Sequence, residues 1–381
     1  MIKVLYLIHA LTIGGAETIV KEYAVGLNKN IFDVYILCFD RVDRTQLPYY
    51  QIVEDAGVKI INVSDDIRER NNKLINKISR RIKLYQLIKN QLKKIEPDII
   101  HTHLPVNKFV RYSRPNKRTA IFYTHHNSVE RWKKFYKSDV RDVKWLKKKY
   151  DMTIVALNPT MSKELNMLLR IDDSIILNNG IDINKYQTAK NRSRVRRKLN
   201  INEDAFVIGH VGRFSKIKNH SYLIDIFAKA KEVRPDAFLL LIGDGEEKEF
   251  IIKKLKSLHL DKDYMLLSNR SDIPDLLQTM DVFVFPSFSE GVPVSLVEAQ
   301  AAGIKCLVSN NVTKEVVISN IIKYRDISEK PELWVKDIFE WKTKEIEYYQ
   351  LEKWNMIDIV KKLEMYYINA VRRCRNEENI N

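Results

Sequence analysis

Short apolar runs alternate with amphipathic segments along the whole chain of 381 residues. Strands that alternate with helices in this way are typical of open parallel sheets with helices on both faces. The pattern therefore predicts an α/β protein with two series of strands. The first comprises Val4–His9, Val34–Phe39, Lys59–Val63, Ile99–His103, Ala120–Tyr123, Thr153–Leu157 and Ser174–Leu177; the second comprises Val207–Val211, Phe238–Ile242, Tyr264–Leu267, Val282–Phe285 and Ile304–Val308.

The two series predict two Rossmann-like, doubly wound domains. The segment Asn178-Asn179-Gly180-Ile181-Asp182 lies between them, so we expect one domain over residues 1–180 and another over 181–353. This length suits two domains of ordinary size better than a single core. A last helix is expected at about 354–373, and it could return to cover the first domain.

The most informative motif runs from Glu290 to Glu298, directly after a buried strand. A helix is expected over Val294–Ala302, and the N–H groups at its start form a ready anion site. Glu290 then precedes this helix and Glu298 lies one to two turns into it. Two carboxylates can accept hydrogen bonds from several hydroxyls while the helix end holds a phosphate. This combination suits a nucleotide sugar.

Other candidate residues also follow predicted strands, where open α/β sheets bind their ligands. Arg213 and Lys218 share one loop and could grip a diphosphate, although a basic surface loop is the alternative. Gly14 and Gly15 open a helix and would let the backbone approach a ligand, but the GxGxxG fingerprint of NAD-binding proteins is missing. Arg270 follows a further strand, and its loop could border a base through backbone groups, although an ordinary connecting loop is an equal alternative.

Four of the eight histidines stand at strand ends of the first half, as His101-Thr102-His103 and His125-His126-Asn127. Two histidines at i and i+2 can share a metal, yet no cysteine or carboxylate triad accompanies them. Histidines in such places more often bond a substrate hydroxyl or carbonyl. We therefore expect no metal site. Asp261-Lys262-Asp263 matches the DxD metal motif, but it precedes a strand and is interpreted as a surface loop.

The chain carries a net charge of +16. Basic residues crowd two stretches, Arg68–Lys94 and Arg131–Lys149. The second includes Trp132 and Trp145, which are expected to be exposed, and nine basic but two acidic residues. Such a surface suits an anionic membrane or a polyanion, and a solvated helix is the alternative for the first stretch.

Two further features bear on location. The longest apolar run, Ala237–Ile242, is far shorter than the roughly 18 residues of a membrane span. The three cysteines have no pairing or metal-site spacing, which fits a reducing compartment. We expect a cytoplasmic protein, peripheral on the inner face of the cell membrane.

The order and spacing of these motifs resemble family 4 retaining glycosyltransferases of the GT-B fold, in the bacterial capsular and exopolysaccharide branch. The resemblance covers nearly the whole chain. It includes Gly14-Gly15-Ala16-Glu17, Thr124-His125-His126-Asn127, Asn179-Gly180-Ile181-Asp182, Val211-Gly212-Arg213-Phe214 with Lys218-Asn219, Glu290 to Gly303, and Thr313-Lys314-Glu315.

The resemblance implies two domains facing across a cleft, the first binding the acceptor and the second the donor. It implies that Arg213 and Lys218 bind the donor diphosphate, and that Glu290 and Glu298 hold hydroxyls of the sugar and the ribose. It further implies that the sugar contacts His126 near its reacting carbon. The distal phosphate would meet the Gly14-Gly15 loop and backbone amides of Val294, Ser295 and Leu296.

The expected activity is transfer of a hexosyl or N-acetylhexosaminyl group from a nucleotide sugar, without a metal cofactor. A UDP-sugar donor and a saccharide or polyprenyl-diphosphate-linked acceptor are expected, as is retention of configuration. One alternative is a UDP-N-acetylglucosamine 2-epimerase, which uses a similar fold with different carboxylates. A polyanion-binding protein is a second alternative. It is disfavoured because the lysines are scattered over both predicted domains, and no nucleic-acid partner is expected.

Overall fold

The computed structural model describes residues 1–12, 14–40, 42–44, 47–63, 73–188, 192–343 and 345–376. The chain forms two compact units. Unit 1 consists of Met1–Asn179 and Ile357–Asn381, and unit 2 of Gly180–Met356. The chain thus leaves unit 1 once and returns to it at its C-terminal end.

Unit 1 is built around a seven-stranded parallel sheet with helices between successive strands. Its elements in chain order are β1 (Ile2–Ile8), α1 (Gly15–Gly26), β2 (Phe32–Cys38), α2 (Pro48–Asp55), β3 (Lys59–Asn62), α3 (Lys73–Ile95), β4 (Ile99–His103), α4 (Asn107–Ser113), β5 (Ala120–Thr124), α5 (Val129–Phe135), α6 (Lys137–Tyr150), β6 (Thr153–Ala156), α7 (Pro159–Leu169) and β7 (Ile175–Ile176).

The strand order of this sheet is β3-β2-β1-β4-β5-β6-β7. The chain winds outward from β1 to β3, crosses to β4, and then winds outward in the other direction. Every residue of β4 and β5 is buried, because helices cover both faces of the central strands. The crossing places the carboxyl ends of β1 and β4 side by side, at the switch point where such sheets bind ligands.

Unit 2 begins with the helices and strands that follow residue 180. In chain order these are α8 (Ile183–Thr188), α9 (Arg192–Lys198), β8 (Phe206–Val211), α10 (His220–Val233), β9 (Ala237–Ile242), α11 (Lys248–Ser257), β10 (Tyr264–Leu267), α12 (Ile273–Leu277), β11 (Val282–Phe285), α13 (Val294–Ala301), β12 (Lys305–Ser309), β13 (Ile322–Arg325) and α14 (Pro331–Glu340).

The sheet of unit 2 is also parallel, with the order β10-β9-β8-β11-β12-β13. Its switch point lies between β8 and β11, which pair through Ile208 with Val282 and Gly209 with Phe283. A separate core fills one face of this sheet, where Phe214, Phe227 and Trp334 are fully buried. Strand β13 was not predicted.

The C-terminal helix α15 (Met356–Asn376) packs on unit 1. Its buried face repeats at helical spacing through Val360, Leu363, Tyr367 and Val371. The ring of Tyr367 lies against aromatic residues of two strands, at 6.1 Å from Phe32 and 5.0 Å from Phe122 between ring centroids. Although it is the last helix of the chain, α15 therefore contributes to the first core.

The first basic stretch falls mostly on α3. Residues 68–72 of that stretch lie outside the described residues, and so do the side chains of residues 73–81. The later apolar positions Ile88, Leu92 and Ile95 are buried. This part of the stretch is thus an amphipathic helix whose apolar side packs into unit 1.

Candidate functional site

The loops after β8 and β11 come together at the switch point of unit 2. The amide of Phe288 donates to the carbonyl of Ile217 at 2.9 Å, and the side chain of Asn219 donates to the carbonyl of Pro286 at 3.2 Å. Two segments that are far apart in the chain are therefore held against each other. One carries Lys218 and the other Glu290.

Lys218 and Glu290 form an ion pair in this place. The Nζ–Oε1 distance is 2.8 Å, and the two side chains are 16% and 13% exposed. The ammonium also lies 4.6 Å from the centroid of the Phe285 ring, where the ring quadrupole attracts a cation. Opposite charges that are largely withdrawn from water interact more strongly than an exposed pair. The pair is thus a well-defined, polar feature of the site.

Helix α13 begins four residues after Glu290. Its N-cap is Pro293, which provides no side-chain cap, so the first turn keeps the anion-attracting end expected of a helix. The amide of Leu296, however, donates to the carbonyl of Pro293 at 3.1 Å. Of the three amides expected to meet a phosphate, those of Val294 and Ser295 therefore have the more suitable position.

Glu298 lies in the second turn of α13 and is half-buried. It accepts a hydrogen bond of 2.5 Å from the hydroxyl of Tyr186 in α8. The side-chain amide of Gln278 donates to the carbonyls of Tyr186 and of Ala302, which ties α8 to the end of α13. Sequence reasoning missed Tyr186, because nothing in its local pattern links it to a residue 112 positions away.

Arg213, unlike Lys218 and Glu290, is well exposed to solvent. Its side chain is 73% exposed and lies 3.3 Å from a carboxylate oxygen of Glu246. Glu246 belongs to the loop after β9, which approaches the loop after β8 very closely. A Cβ added to Gly243, whose φ is +157°, would lie 2.0 Å from the carbonyl oxygen of Gly212. The glycine turn after β9 therefore shapes the backbone next to Arg213.

Arg270 is not brought into this group. It follows the edge strand β10, which β9 separates from β8. Its guanidinium pairs with Asp272 at 2.7 Å, which holds the pKa of the Asp272 carboxyl below its usual value. The structure thus places Lys218, Glu290 and the start of α13 together and Arg270 apart from them. Asp261 and Lys262 are exposed just before β10, as expected of a surface loop.

The corresponding switch point of unit 1 carries the two glycines. Gly14 is extended and forms the N-cap of α1. A Cβ added to it would lie 2.4 Å from a carboxylate oxygen of Glu17, whereas one added to Gly15 would have no atom within 4 Å. Gly15 thus leaves open space beside the backbone at the start of a helix, where a ligand can approach.

The histidines of β4 and of the loop after β5 form a buried network. His101 is bonded on both ring nitrogens, by the hydroxyls of Tyr367 at 2.6 Å and of Thr124 at 2.7 Å. Nδ1 of His103 lies 2.8 Å from Nε2 of the half-buried His126. Burial lowers the pKa of His101 and of His126 to about 3. These rings are therefore neutral at pH 7.

The network does not form a metal-binding cluster. Among the described residues, no group of three or more histidine, cysteine, aspartate or glutamate side chains is arranged to hold a metal. His125 points elsewhere in the core. Its ring lies 4.7 Å from that of Trp132, and its Nδ1 is 2.9 Å from the hydroxyl of Tyr123.

The basic stretch Arg131–Lys149 forms α5 and α6, and one expectation for it was wrong. Trp132 is not exposed: its side chain is fully buried, and its N–H donates to Asp139 at 2.9 Å. Trp145 is only half-exposed and lies against Arg111. Both acids of the stretch are buried, so the surface is almost purely cationic. Its exposed bases are Arg131, Lys133, Lys134, Lys137, Arg141, Lys144, Lys148 and Lys149.

Two family models match the chain in succession. The model described as Glycosyltransferase Family 4 matches residues 13–185, and the model described as Glycosyl transferases group 1 matches residues 191–353. An Escherichia coli relative, UDP-Gal:alpha-D-GlcNAc-diphosphoundecaprenol alpha-1,3-galactosyltransferase, is 30% identical over 297 residues, 71% of this chain and 74% of that protein. The chain belongs to glycosyltransferase family 4.

Another relative of this family 4 glycosyltransferase is EpsF of Bacillus subtilis, which is 36% identical over 168 residues. That match covers only 43% of each of the two proteins. Among solved structures, Anabaena Alr3699/HepE in complex with UDP-glucose has a TM-score of 0.69 at 18% identity, over the full length of both chains. The predicted fold class, two parallel α/β domains of the GT-B type, is confirmed.

No helix in the described part of this glycosyltransferase is long and apolar enough to cross a membrane. Cys38 and Cys306 are buried and Cys374 is half-buried, and none of the three forms a disulfide bond within the part of the chain that the structure describes.

Proposed function

We propose that this family 4 glycosyltransferase moves a hexosyl or N-acetylhexosaminyl group from a UDP-sugar to a saccharide or polyprenyl-diphosphate-linked acceptor. The reaction would retain the anomeric configuration, need no metal, and belong to capsule or exopolysaccharide biosynthesis. Unit 2 would bind the donor and unit 1 the acceptor.

The observation that carries this proposal is the Lys218–Glu290 pair beside the start of α13. A nucleotide sugar presents a diphosphate and several hydroxyls within a few ångströms of each other. Lys218 and the helix end supply positive charge for the diphosphate, and the carboxylate of Glu290 accepts hydrogen bonds from hydroxyls. Glu298, which accepts a hydrogen bond from Tyr186, lies in the second turn of the same helix and would accept hydrogen bonds from the ribose.

The proposed step is a front-face displacement. The bond between the anomeric carbon and the diphosphate oxygen breaks, and the acceptor hydroxyl oxygen bonds to that carbon on the same face. The proton of this hydroxyl passes to the departing diphosphate. Lys218 and Arg213 stabilise the negative charge that develops there, a type of stabilisation that usually dominates such reactions. His126 contacts the transferred sugar.

Similar proteins support the choice of substrates. The Escherichia coli relative is named for a UDP-galactose donor and for an acceptor linked to diphosphoundecaprenol. The HepE structure, which shares the fold, holds UDP-glucose. A UDP-sugar and a lipid-linked saccharide are therefore the first substrates to test.

A panel of nucleotide sugars tests the proposal, read by thermal shift and by release of nucleoside diphosphate. The variants Lys218→Ala and Glu290→Ala should each lower kcat by about 10²- to 10³-fold while remaining folded. Lys254→Ala is a matched control, because Lys254 is also a half-buried, ion-paired lysine of unit 2, bound to Asp225 at 2.6 Å. EDTA should leave the rate unchanged.

Three results would count against the proposal. Turnover near that of the wild type in either variant would remove that residue from the mechanism. Epimer formation without sugar transfer would favour the 2-epimerase instead. Failure of every nucleotide sugar in the panel to bind or react would overturn the donor assignment itself.

The cationic surface of α5 and α6 would hold the enzyme at an anionic membrane, where a lipid-linked acceptor is found. Each lysine or arginine near such a surface contributes about 1 kcal/mol. Charge reversal at Lys133, Lys134 and Lys137 should therefore abolish sedimentation with phosphatidylglycerol vesicles. The control reverses three exposed lysines of unit 2, at positions 253, 256 and 262. Equal binding to neutral vesicles would contradict membrane recruitment by charge.

A further inference from the structure

His103 is a buried residue that touches His126 but has no assigned role. It ends β4 and has no exposed surface, and its Nδ1 lies 2.8 Å from Nε2 of His126. The ring centroids are 5.0 Å apart and the ring planes are inclined by only 25°, so the two rings meet edge to edge through these nitrogens. In the sheet, His103 is in register with Thr124, two residues before His126. The contact therefore joins the carboxyl ends of two neighbouring strands.

One proton lies between these two nitrogens, and there are two ways to place it. If His126 donates, then His103 must carry its own proton on Nε2. If His103 donates from Nδ1, Nε2 of His103 carries no proton, and the proton of His126 lies on Nδ1 of His126. The two arrangements differ in what His126 offers on the other side of its ring: a hydrogen-bond acceptor in the first case and a donor in the second.

The surroundings of His103 decide between them. Its Nε2 is fully buried and has no hydrogen-bond partner among the described residues. A buried N–H group without an acceptor is rarer in proteins than an under-used acceptor, because the lost hydrogen bond to water is not replaced. The ring of Tyr23 lies 6.1 Å from that of His103, and its buried hydroxyl also has no partner among the described residues.

We propose that His103 is a positioning residue that donates from Nδ1 to His126 and so holds His126 in the neutral form protonated at Nδ1. His126 then presents an N–H donor to a hydroxyl of the transferred sugar. The inference rests on the proposed function for the role of His126, but the protonation pattern itself does not.

The packing around His103 supports a fixed orientation. Its ring lies 4.4 Å from that of His101, which is bonded on both nitrogens. One of these bonds is with Tyr367, whose hydroxyl donates to Tyr6 at 3.1 Å and is therefore free to accept from Nδ1 of His101. His103 thus packs against a ring that cannot easily turn, and the C-terminal helix α15 contributes to this support.

Two variants of His103 separate positioning from a purely structural role. His103→Asn places an amide N–H near the position of Nδ1 and so keeps a hydrogen-bond donor to His126. His103→Phe fills the space of the imidazole ring but provides no hydrogen-bond donor. Nitrogen-15 NMR of histidine-labelled protein, assigned with His126→Gln, reports which nitrogen of His126 carries the proton. Activity is measured with UDP-glucose, UDP-galactose and UDP-N-acetylglucosamine, and UDP binding is measured separately.

We expect a proton on Nδ1 of His126 in the wild type and in His103→Asn, and a mixture of the two protonation forms in His103→Phe. His103→Phe should lower kcat by about 10- to 100-fold, because His126 would no longer orient the transferred sugar for reaction. It should leave the Kd of UDP unchanged, because UDP lacks the transferred sugar. His103→Asn should recover most of the activity.

A wild-type spectrum with the proton on Nε2 of His126 would overturn the inference, and so would full turnover by a folded His103→Phe. If the wild type neither binds UDP nor turns over any of the three sugars, the proposed function fails instead. The NMR result then still decides whether His103 sets the protonation of His126.

Discussion

Acidification should unfold unit 1 before unit 2, because buried and half-buried histidines must stay neutral in the folded protein. Burial lowers the pKa of each of them below the ordinary value of 6.5, to about 3 or 4 in four cases. Between those values the unfolded chain binds more protons than the native state, so stability falls as the pH drops below about 6.5. Unit 1 contains His101, His103, His125 and His126, and unit 2 contains His210 and His220.

The size of the effect follows from the proton linkage. At pH 5.5, a histidine that titrates at 6.5 when unfolded and far lower when folded costs about 1.4 kcal/mol. Unit 1 should therefore lose about 6 kcal/mol and unit 2 about 3 kcal/mol relative to neutral pH. Asp139 acts in the opposite sense, because burial raises its pKa to about 6. The stability that unit 1 regains when this carboxylate binds a proton at pH 5.5 is below about 1 kcal/mol. Since domains are stable by about 5–15 kcal/mol, unit 1 should be close to unfolding.

Hydrogen exchange with peptide resolution measures this loss separately in the two units, after correction for the intrinsic pH dependence of exchange. His101→Gln should remove about 1.4 kcal/mol of the pH-dependent loss in unit 1. The control is His259→Gln, because His259 is exposed. High salt screens repulsion between surface charges but not burial, so the effect should persist there. Equal losses in the two units, or a loss in unit 1 below about 2 kcal/mol between pH 7.5 and 5.5, would refute the reasoning.

Three substitutions in unit 2 test other contacts. Tyr186→Phe should raise the Kd of UDP about 3- to 10-fold at unchanged stability, because Glu298 loses a hydrogen bond that orients it; binding as tight as in the wild type would contradict this. Gly243→Ala should destabilise the protein by about 1–3 kcal/mol and weaken UDP binding, since its Cβ would overlap the carbonyl of Gly212. Arg196→Ala should cost about 3–5 kcal/mol in urea unfolding, because this fully buried guanidinium pairs with Asp281 and donates to four backbone carbonyls; a loss below 1 kcal/mol would show that water replaces it.

Most strands could be predicted because the central strands of a parallel sheet are buried on both faces and leave continuous apolar runs. Strand β11 has four buried residues and was predicted with its observed bounds. Strand β13 was missed because none of its four residues is fully buried and two of them, Lys323 and Arg325, are charged. Both charges pair with the buried Asp337 of α14, so this edge strand is stabilised by a partner that a local pattern does not reveal.

The burial of Trp132 also depends on a partner that the local sequence pattern does not reveal. A tryptophan among lysines was expected to be exposed, since the surrounding residues are charged. Trp132, however, lies in α5 and Asp139 in the first turn of α6, and both side chains are buried, so that the indole N–H donates to a carboxylate seven residues away. Because a new helix begins between the two residues, helical periodicity does not predict that they face each other. A buried indole N–H needs an acceptor, and here the next helix supplies it.

The sequence predicts which loops carry the residues of the site better than it predicts which side chains contact each other there. Lys218 and Glu290 were both expected at carboxyl ends of strands, but their contact depends on β8 lying next to β11, and this order is a property of the whole sheet. The bonds of Tyr186 to Glu298 and of Tyr367 to His101 span 112 and 266 residues. In a doubly wound sheet, the order of the strands determines which loops lie next to each other, whereas the residues of each binding motif depend on the ligand that its own loop contacts. A motif can therefore be recognised from the sequence around a single strand. The residues that orient the motif can be identified only once the strand order is known.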